Sequence, residues 1–363
     1  MSLHTNDFNF DLPYERVAQQ SVEPRDQSKL MVVHKKSKKI EHKKFTDIVD
    51  FFNDGDTIVW NNSKVFKARQ TGRLLSKNND DLWEHKRDIE LFLVRPMKNF
   101  GVWKVLAKPS KHVENGMRIE VAEDFACDVM LKEKFGTILV QFDDDAEEVM
   151  KKANKYGAIP IPPYVKDEPH QLSMYQTVYA DKEGSVAAPT AGFHFTDSVI
   201  SKLKQKGVNF AEITLHVGLG TFLPVKSETI DEHIMHSEWV KISQETVDII
   251  QETKDNNGRV IAVGTTSTRT LEGVAQMVAK EPLAKGKVPL HPYEGDVDIF
   301  IKPGFDFKVV DVMVTNFHLP MSTLLMLVSA FVGDREFLLD CYRIAVEEEY
   351  RFYSFGDAMI VLN

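Results

Sequence analysis

The sequence predicts an α/β fold in which a larger discontinuous α/β domain, residues 1–62 and 157–363, carries a small β-barrel domain inserted at 63–156. Three observations predict it. Strand and helix signals alternate near both ends of the chain, a block with strand signals alone lies between them, and the proline-rich stretch 159–163 (IPIPP) leads the chain back from that block.

Taken in order, residues 29–33 are a short apolar run read as a strand. Residues 45–52 (FTDIVDFF) have helical spacing and stop at Asn53-Asp54-Gly55, a turn signal, before a strand at 57–60. The period then changes. Runs at 88–94, 102–107, 117–121, 125–131 and 137–142 are separated by Pro96, Pro109, Asn115-Gly116 and Gly136, the even spacing of a small barrel or sandwich. Residues 72–86 hold no strong pattern and read as an exposed hairpin tip. Residues 159–163 cannot be helix, because each proline removes a donor and restrains its predecessor. Residues 259–264 (RVIAVG) form a nearly continuous apolar strand of the kind buried on both faces, and Thr265-Thr266-Ser267 opens a helix reaching 280. Strands at 297–301 and 309–314, helices at 323–331 and 335–349, and a closing strand at 359–362 complete the set.

Composition bounds the function. At roughly 150 residues per domain, 363 residues make two or three. The 45 Lys and Arg against 54 Asp and Glu leave a net charge of −9, which by itself argues against a phosphate-rich partner. The basic stretch 34–44 (HKKSKKIEHKK) reads, on charge alone, as a solvated turn between strand and helix in preference to an RNA contact. The longest apolar stretch, 319–332, is broken by Pro320, Ser322 and Thr323 and falls short of the roughly 18 residues a membrane helix needs, so no membrane partner is expected. Residues 1–11 lack the basic and apolar regions of a signal peptide, and the two cysteines, Cys127 and Cys341, form no CxxC pair. A cytoplasmic monomer is expected.

Generic catalytic signatures fail. Gly218-Leu219-Gly220 begins a dinucleotide fingerprint without its third glycine, and there is no GxxxxGK[ST], HExxH or GxSxG. His233, His236 and Glu238 (HIMHSE) have the composition of a metal cluster, but imidazoles at strand ends are also ordinary hydrogen-bonding groups, and no metal is expected. Four loops carry more information, because each places small residues, hydroxyls or His just beyond a strand: 185–196 (SVAAPTAGFHFT) with Thr190 and His194, 214–222 (TLHVGLGTF) with His216, 264–272 (GTTSTRTLE) with Thr266, Ser267 and Arg269, and 316–323 (NFHLPMST) with Asn316, His318, Ser322 and Thr323. Any one of them is ordinary helix capping. Four together favour a ligand site outside the carboxyl ends of the strands.

These same segments, with FDLPYERVAQQ and EPRDQSKL near the start and YRFYSFGDAM near the end, resemble the S-adenosylmethionine:tRNA ribosyltransferase-isomerases of queuosine biosynthesis, from about Phe10 to the C-terminus. The resemblance is weakest across the barrel block. It implies a larger α/β domain with an inserted β-barrel, and transfer of the ribosyl part of S-adenosylmethionine to 7-aminomethyl-7-deazaguanine at the tRNA wobble position. Epoxyqueuosine forms, adenine and methionine leave, and the donor is consumed without methyl transfer. The sulfonium acidifies the adjacent 5′ carbon, so a positioned base is required. His194, His216, His236 and Glu238 are the candidates for proton transfer. Arg269, Thr266 and Ser267 are candidates for the donor carboxylate or an RNA phosphate, and Tyr175, Phe193 and Phe195 for stacking on adenine or the modified base. The charge total then describes the whole surface, while a local path from residues 35–44, Arg25, Lys64, Lys67, Arg69 and Arg269 would meet tRNA.

Some positions depart from the family pattern. Asn62 and Lys64 stand where NDTRV has Asp and Arg, Leu223 where GTFRPV has Arg, and Met321 where HLPKST has Lys; residues 72–87 lack the glycine-rich run. Lys for Arg loses the bidentate fork, and Met for Lys loses the charge. Two other readings follow: a catalytically silent or substrate-altered tRNA-binding relative, and a small-molecule enzyme that never touches RNA.

Overall fold

The computed structural model describes residues 3–133, 136–162, 164–166, 171–218, 225, 227–235, 237–278 and 286–363. Its centre is a nine-stranded mixed sheet built from β1 (Lys29–His34), β2 (Lys39–Lys44), β3 (Thr57–Asn61), β12 (Asn209–His216), β13 (Glu238–Ile242), β14 (Val260–Val263), β15 (Tyr293–Val297), β16 (Val312–Asn316) and β17 (Ala358–Leu362). The spatial order is β15-β13-β12-β3-β14-β16-β17-β1-β2. The four strands β12, β3, β14 and β16 run parallel side by side. After β3 the chain first builds β12 on one side and later returns to build β14 on the other, so a switch of direction lies where these strands end.

Both sheet faces are buried, which is why β3, β14, β16 and β17 are almost uninterrupted apolar runs. Side chains alternate between two cores. Ile58, Ile261, Val263, Val312 and Val314 face α2 (Asp197–Gln205) and the 3₁₀ helix Phe45–Phe51. Val59, Val260, Ala262 and Met313 face α3 (Gln244–Asp255), α4 (Gly264–Val278), α5 (Thr323–Val332) and α6 (Arg335–Glu347).

Two short parallel strands, β4 (Ser63–Val65) and β11 (Lys182–Ser185), stand at the entry to and beyond the exit from a closed barrel. Its strands are β5 (Arg69–Lys77), β6 (Trp83–Pro96), β7 (Val102–Lys108), β8 (Arg118–Ala122), β9 (Phe125–Lys132) and β10 (Ile138–Phe142), joined in the order β10-β7-β6-β5-β8-β9. The helix α1 (Ala146–Tyr156) adds Val149 and Ala153 to the barrel core. The fold class is therefore the one expected: α/β with a small β-barrel.

Several elements differ from the expectation. Residues 72–77 are not a hairpin tip but part of β5, paired with β6 from Arg69↔Phe92 to Lys77↔Trp83. The inward positions of β5 begin with Gln70 and Gly72, which hides the alternation. Gly72 is there because a Cβ would lie 2.7 Å from the carbonyl oxygen of Glu120. The basic stretch 34–44 is not a turn: residues 39–44 are the edge strand β2, where lysines guard an open strand edge against pairing with another chain. The expected strand 309–314 begins only at Val312, because the amides of Lys308, Val309 and Val310 donate to the Glu272 carboxylate at 2.8–3.0 Å. Ile299 and Ile301 pack into the core beyond the end of β15 without ladder pairing. The strand β17 lies inside the sheet, between β16 and β1.

Candidate active site

The turn from β14 into α4 is made by Gly264 at φ +86°, a left-handed backbone that side chains rarely adopt. It opens a cavity at the carboxyl ends of β14 and β16, with about 750 Å³ of empty space open to solvent. Thr190, Thr266, Asn316, His318 and Ser322 line it, so the four loops singled out in the sequence do converge, the loop after β12 contributing Val217. Tyr164, Tyr353 and Ser354 complete the wall. The rings of Tyr164 and Tyr353 stack at 4.4 Å and 21°, and Tyr164 Oη bonds Ser354 Oγ at 2.6 Å. Burial pushes the Tyr164 phenol up to about 12. Tyr353 and Met321 both have left-handed backbones, φ +72° and +57°, strain held at the border of the cavity.

One hydrogen-bonded chain fixes the polar wall. Thr190 Oγ1 donates to Asn316 Oδ1 at 3.0 Å, Asn316 Nδ2 lies 3.2 Å from His194 Nε2, and His194 Nδ1 lies 2.8 Å from Ser28 Oγ. With the amide donating to Nε2, the imidazole carries its proton on Nδ1 and donates to Ser28. His194 is buried and stands behind Asn316, outside the lining of this cavity. Burial holds its pKa down at about 4. Among the described residues His318 is the histidine that lines the cavity. Thr315 Oγ1 holds its Nε2 at 2.8 Å, leaving Nδ1 for a ligand, and burial lowers its pKa to about 3. Ser322 donates to Leu319 O and caps α5 through the amide of Leu325.

A second group sits beyond the end of β12. His216 stacks on Trp239 across the strand pair at 5.0 Å and 13°, with Nδ1 buried and unpartnered. Burial lowers its pKa to about 4. Gly184 permits this placement, because a Cβ there would lie 2.7 Å from His216 Nε2. Glu238 opens β13, accepts the amide of Gly218 at 3.1 Å and forms a buried ion pair with Arg269 Nη1. His236 and Leu223 lie outside the described residues. Among the described residues no group of three His, Cys, Asp or Glu is gathered as a metal site would need.

Other candidates are placed elsewhere. Tyr175, Phe193 and Phe195 are core residues, 0%, 2% and 0% exposed, so they offer no free face for stacking. Ser267 bonds Val263 O inside α4, and Thr323 is the first residue of α5 rather than a lining residue. Arg25 donates to the carbonyls of Ser173, Met174 and Gln176 and shares a second, open cavity of about 440 Å³ with the exposed Lys64. Burial lowers the Arg25 pKa, and nearby Glu23 opposes that shift. The Lys67 amide donates to Asn154, and Arg69 faces Glu90 at 3.9 Å. The lysines of β2 stand five strands from β3, about 24 Å at the usual strand spacing, and Arg269 is buried. The path once drawn through all these cations is therefore not continuous. Asn62 is buried, donating to Glu212 and accepting from Thr214, which accounts for an amide there in place of a carboxylate.

Tyr164, Tyr353 and Ser354 were not singled out as site residues. Their only signals in the sequence are the tyrosines of IPIPPY and YRFYSF, segments otherwise read as a linker and a family motif.

A parallel-strand switch point, a cavity at the carboxyl ends and neutral imidazoles around it define an α/β enzyme with an inserted barrel. The comparisons make this specific: the family model described as "Queuosine biosynthesis protein" matches residues 5–361, and the chain belongs to that family. Relatives named S-adenosylmethionine:tRNA ribosyltransferase-isomerase include those of Thermotoga petrophila, 44% identical over 99% of this chain and 100% of its own length, and of Thermosipho melanesiensis, 47% identical over 98% and 99%. The crystal structure of S-adenosylmethionine tRNA ribosyltransferase from Thermotoga maritima matches with a TM-score of 0.54 at 36% identity, covering 98% of this chain and 100% of that one. The resemblance read from the sequence is borne out, and these relatives favour an enzyme over a silent binding protein.

Proposed function

We propose that this chain transfers and isomerises the ribosyl moiety of S-adenosylmethionine onto 7-aminomethyl-7-deazaguanine at the tRNA wobble position, giving epoxyqueuosine and releasing adenine and methionine. The observation that carries the reading is end-to-end similarity to enzymes of that name, with four segments of that similarity meeting at one cavity. In this reading the chain works as a cytoplasmic monomer without a metal, and its units are 1–62 with 157–363, and the barrel unit 63–156.

The site residues take distinct roles. His216 and His318, neutral at pH 7 and each with a nitrogen to spare, are the bases for the proton transfers, with His236 as a further candidate. His194 orients Asn316, which with Thr190 and Thr266 binds the ribosyl donor. The stacked Tyr164 and Tyr353 pair supplies the apolar wall that Tyr175, Phe193 and Phe195 do not. Arg25 and Lys64, in their shared cavity, are the first contacts for the RNA backbone, with Lys67 and Arg69 beside them on the way into the barrel.

Adenine release tests the reading. Incubation with S-adenosylmethionine should release adenine only when tRNA carrying the modified base is present, and tRNA affinity should fall steeply as salt rises. Release independent of RNA, or binding insensitive to salt, would point to the small-molecule enzyme instead.

A further inference from the structure

Arg269 carries an unfinished set of hydrogen bonds. Its side chain is 8% exposed, and Nη1 pairs with Glu238, yet both Nε and Nη2 are buried without a partner. These two nitrogens form the side-on edge of the guanidinium, the edge whose parallel N–H groups match both oxygens of a carboxylate. Leaving such donors dry is costly unless a ligand completes them. Thr266, one turn earlier on α4 and lining the cavity, also has its Oγ1 buried and unpartnered. Glu238 is tied to the amide of Gly218, the neighbour of the lining residue Val217. The pair therefore stands directly against the cavity wall.

Resting on the function proposed above, we propose that the side-on edge of Arg269 binds the carboxylate of the amino-acid end of S-adenosylmethionine, with Glu238 fixing the guanidinium from its other side. An RNA phosphate is flanked by ribose on both sides and does not fit an edge this enclosed; a terminal carboxylate does. Glu238 is then a positioning residue, not a proton acceptor.

The test compares binding of S-adenosylmethionine with that of its decarboxylated analogue, which keeps the sulfonium and the amine, by titration calorimetry. Wild type should prefer the carboxylate form by about tenfold or more. The preference should shrink to near unity in Arg269→Lys, which keeps charge for Glu238 but loses the fork, and in the double variant Arg269→Gln with Glu238→Gln, which leaves no unpaired buried charge. Equal affinity of wild type for the two ligands, a reading that needs no variant to fold, would overturn the assignment. So would variants that keep the preference while their tRNA affinity and its salt dependence fall, since the anion would then be a phosphate. If wild type prefers the carboxylate form yet releases no adenine with modified tRNA, the carboxylate site stands and the proposed reaction fails; if it releases adenine without the preference, the reaction stands and the site fails.

Discussion

Between Arg69 and Tyr156 the described residues bury one polar side chain, Gln70, whereas the sheet and its loops bury Asn61, Asn62, Ser185, His194, Glu238, Thr265, Arg269, Asn316 and His318 among others. The barrel is closed around Leu91, Trp103, Phe125 and Val140 and has no interior left for chemistry. The sheet region accepts desolvated imidazoles and a buried ion pair at the ends of its parallel strands. Burying polar groups costs stability unless they are satisfied, so their concentration in one region marks where a ligand acts. Any role of the barrel in binding must lie on its outer surface.

That contrast can be broken first by removing packing from the barrel. Leu91 is fully buried, and Leu91→Ala should cost roughly 2–5 kcal/mol of stability, read from denaturant unfolding, while turnover per folded molecule stays near wild type. A large loss of turnover in the folded fraction would show that the barrel interior reaches the chemistry. Next come the two imidazoles with free nitrogens. His318→Ala and His216→Ala should each lower adenine release by about 100-fold or more with the fold retained by circular dichroism. An unchanged rate removes that residue from the proton-transfer set.

A pH series sharpens the same comparison. His194, His216 and His318 have folded pKa values near 4, 4 and 3, below the 6.5 of the unfolded chain. The unfolded state therefore binds more protons through this window, and their contribution is complete above pH about 6.5 and is lost as pH falls through about 4. For His194 the shift corresponds to roughly 3 kcal/mol. Hydrogen exchange should show the sheet losing protection on acidification before the barrel, whose His85 and His112 are exposed. His194→Gln should flatten the sheet's share of that slope. Smallest of all is the ion pair between Arg95 on the barrel and Asp296 on β15, 2.6 Å apart but exposed. Asp296→Ala should change stability by no more than about 0.5 kcal/mol in thermal melts.

Legibility in the sequence followed the same divide. Strands buried on both faces, such as 260–263 and 358–362, announced themselves as apolar runs, and the hydroxyl-rich loops after β14 and β16 pointed to the cavity before any coordinates. The strand β5 was hidden because a glycine and a glutamine occupy its inward positions, and the start of β16 was displaced because a side chain, Glu272, takes the amides ahead of it. Within the site, residue type identified hydroxyls and histidines but not depth: His194 and Phe193 share a loop with Thr190, and only the tertiary packing decides that Thr190 faces the cavity. Tyr353 was missed because its place depends on a left-handed backbone that no neighbouring residue type signals.

The most direct measurement is nucleoside analysis after incubating the protein with S-adenosylmethionine and tRNA carrying 7-aminomethyl-7-deazaguanine, beside a family enzyme of known activity. The account predicts epoxyqueuosine in the digested tRNA with adenine and methionine released in equal amounts. Unmodified 7-aminomethyl-7-deazaguanine, under conditions where the control enzyme converts it, would contradict it.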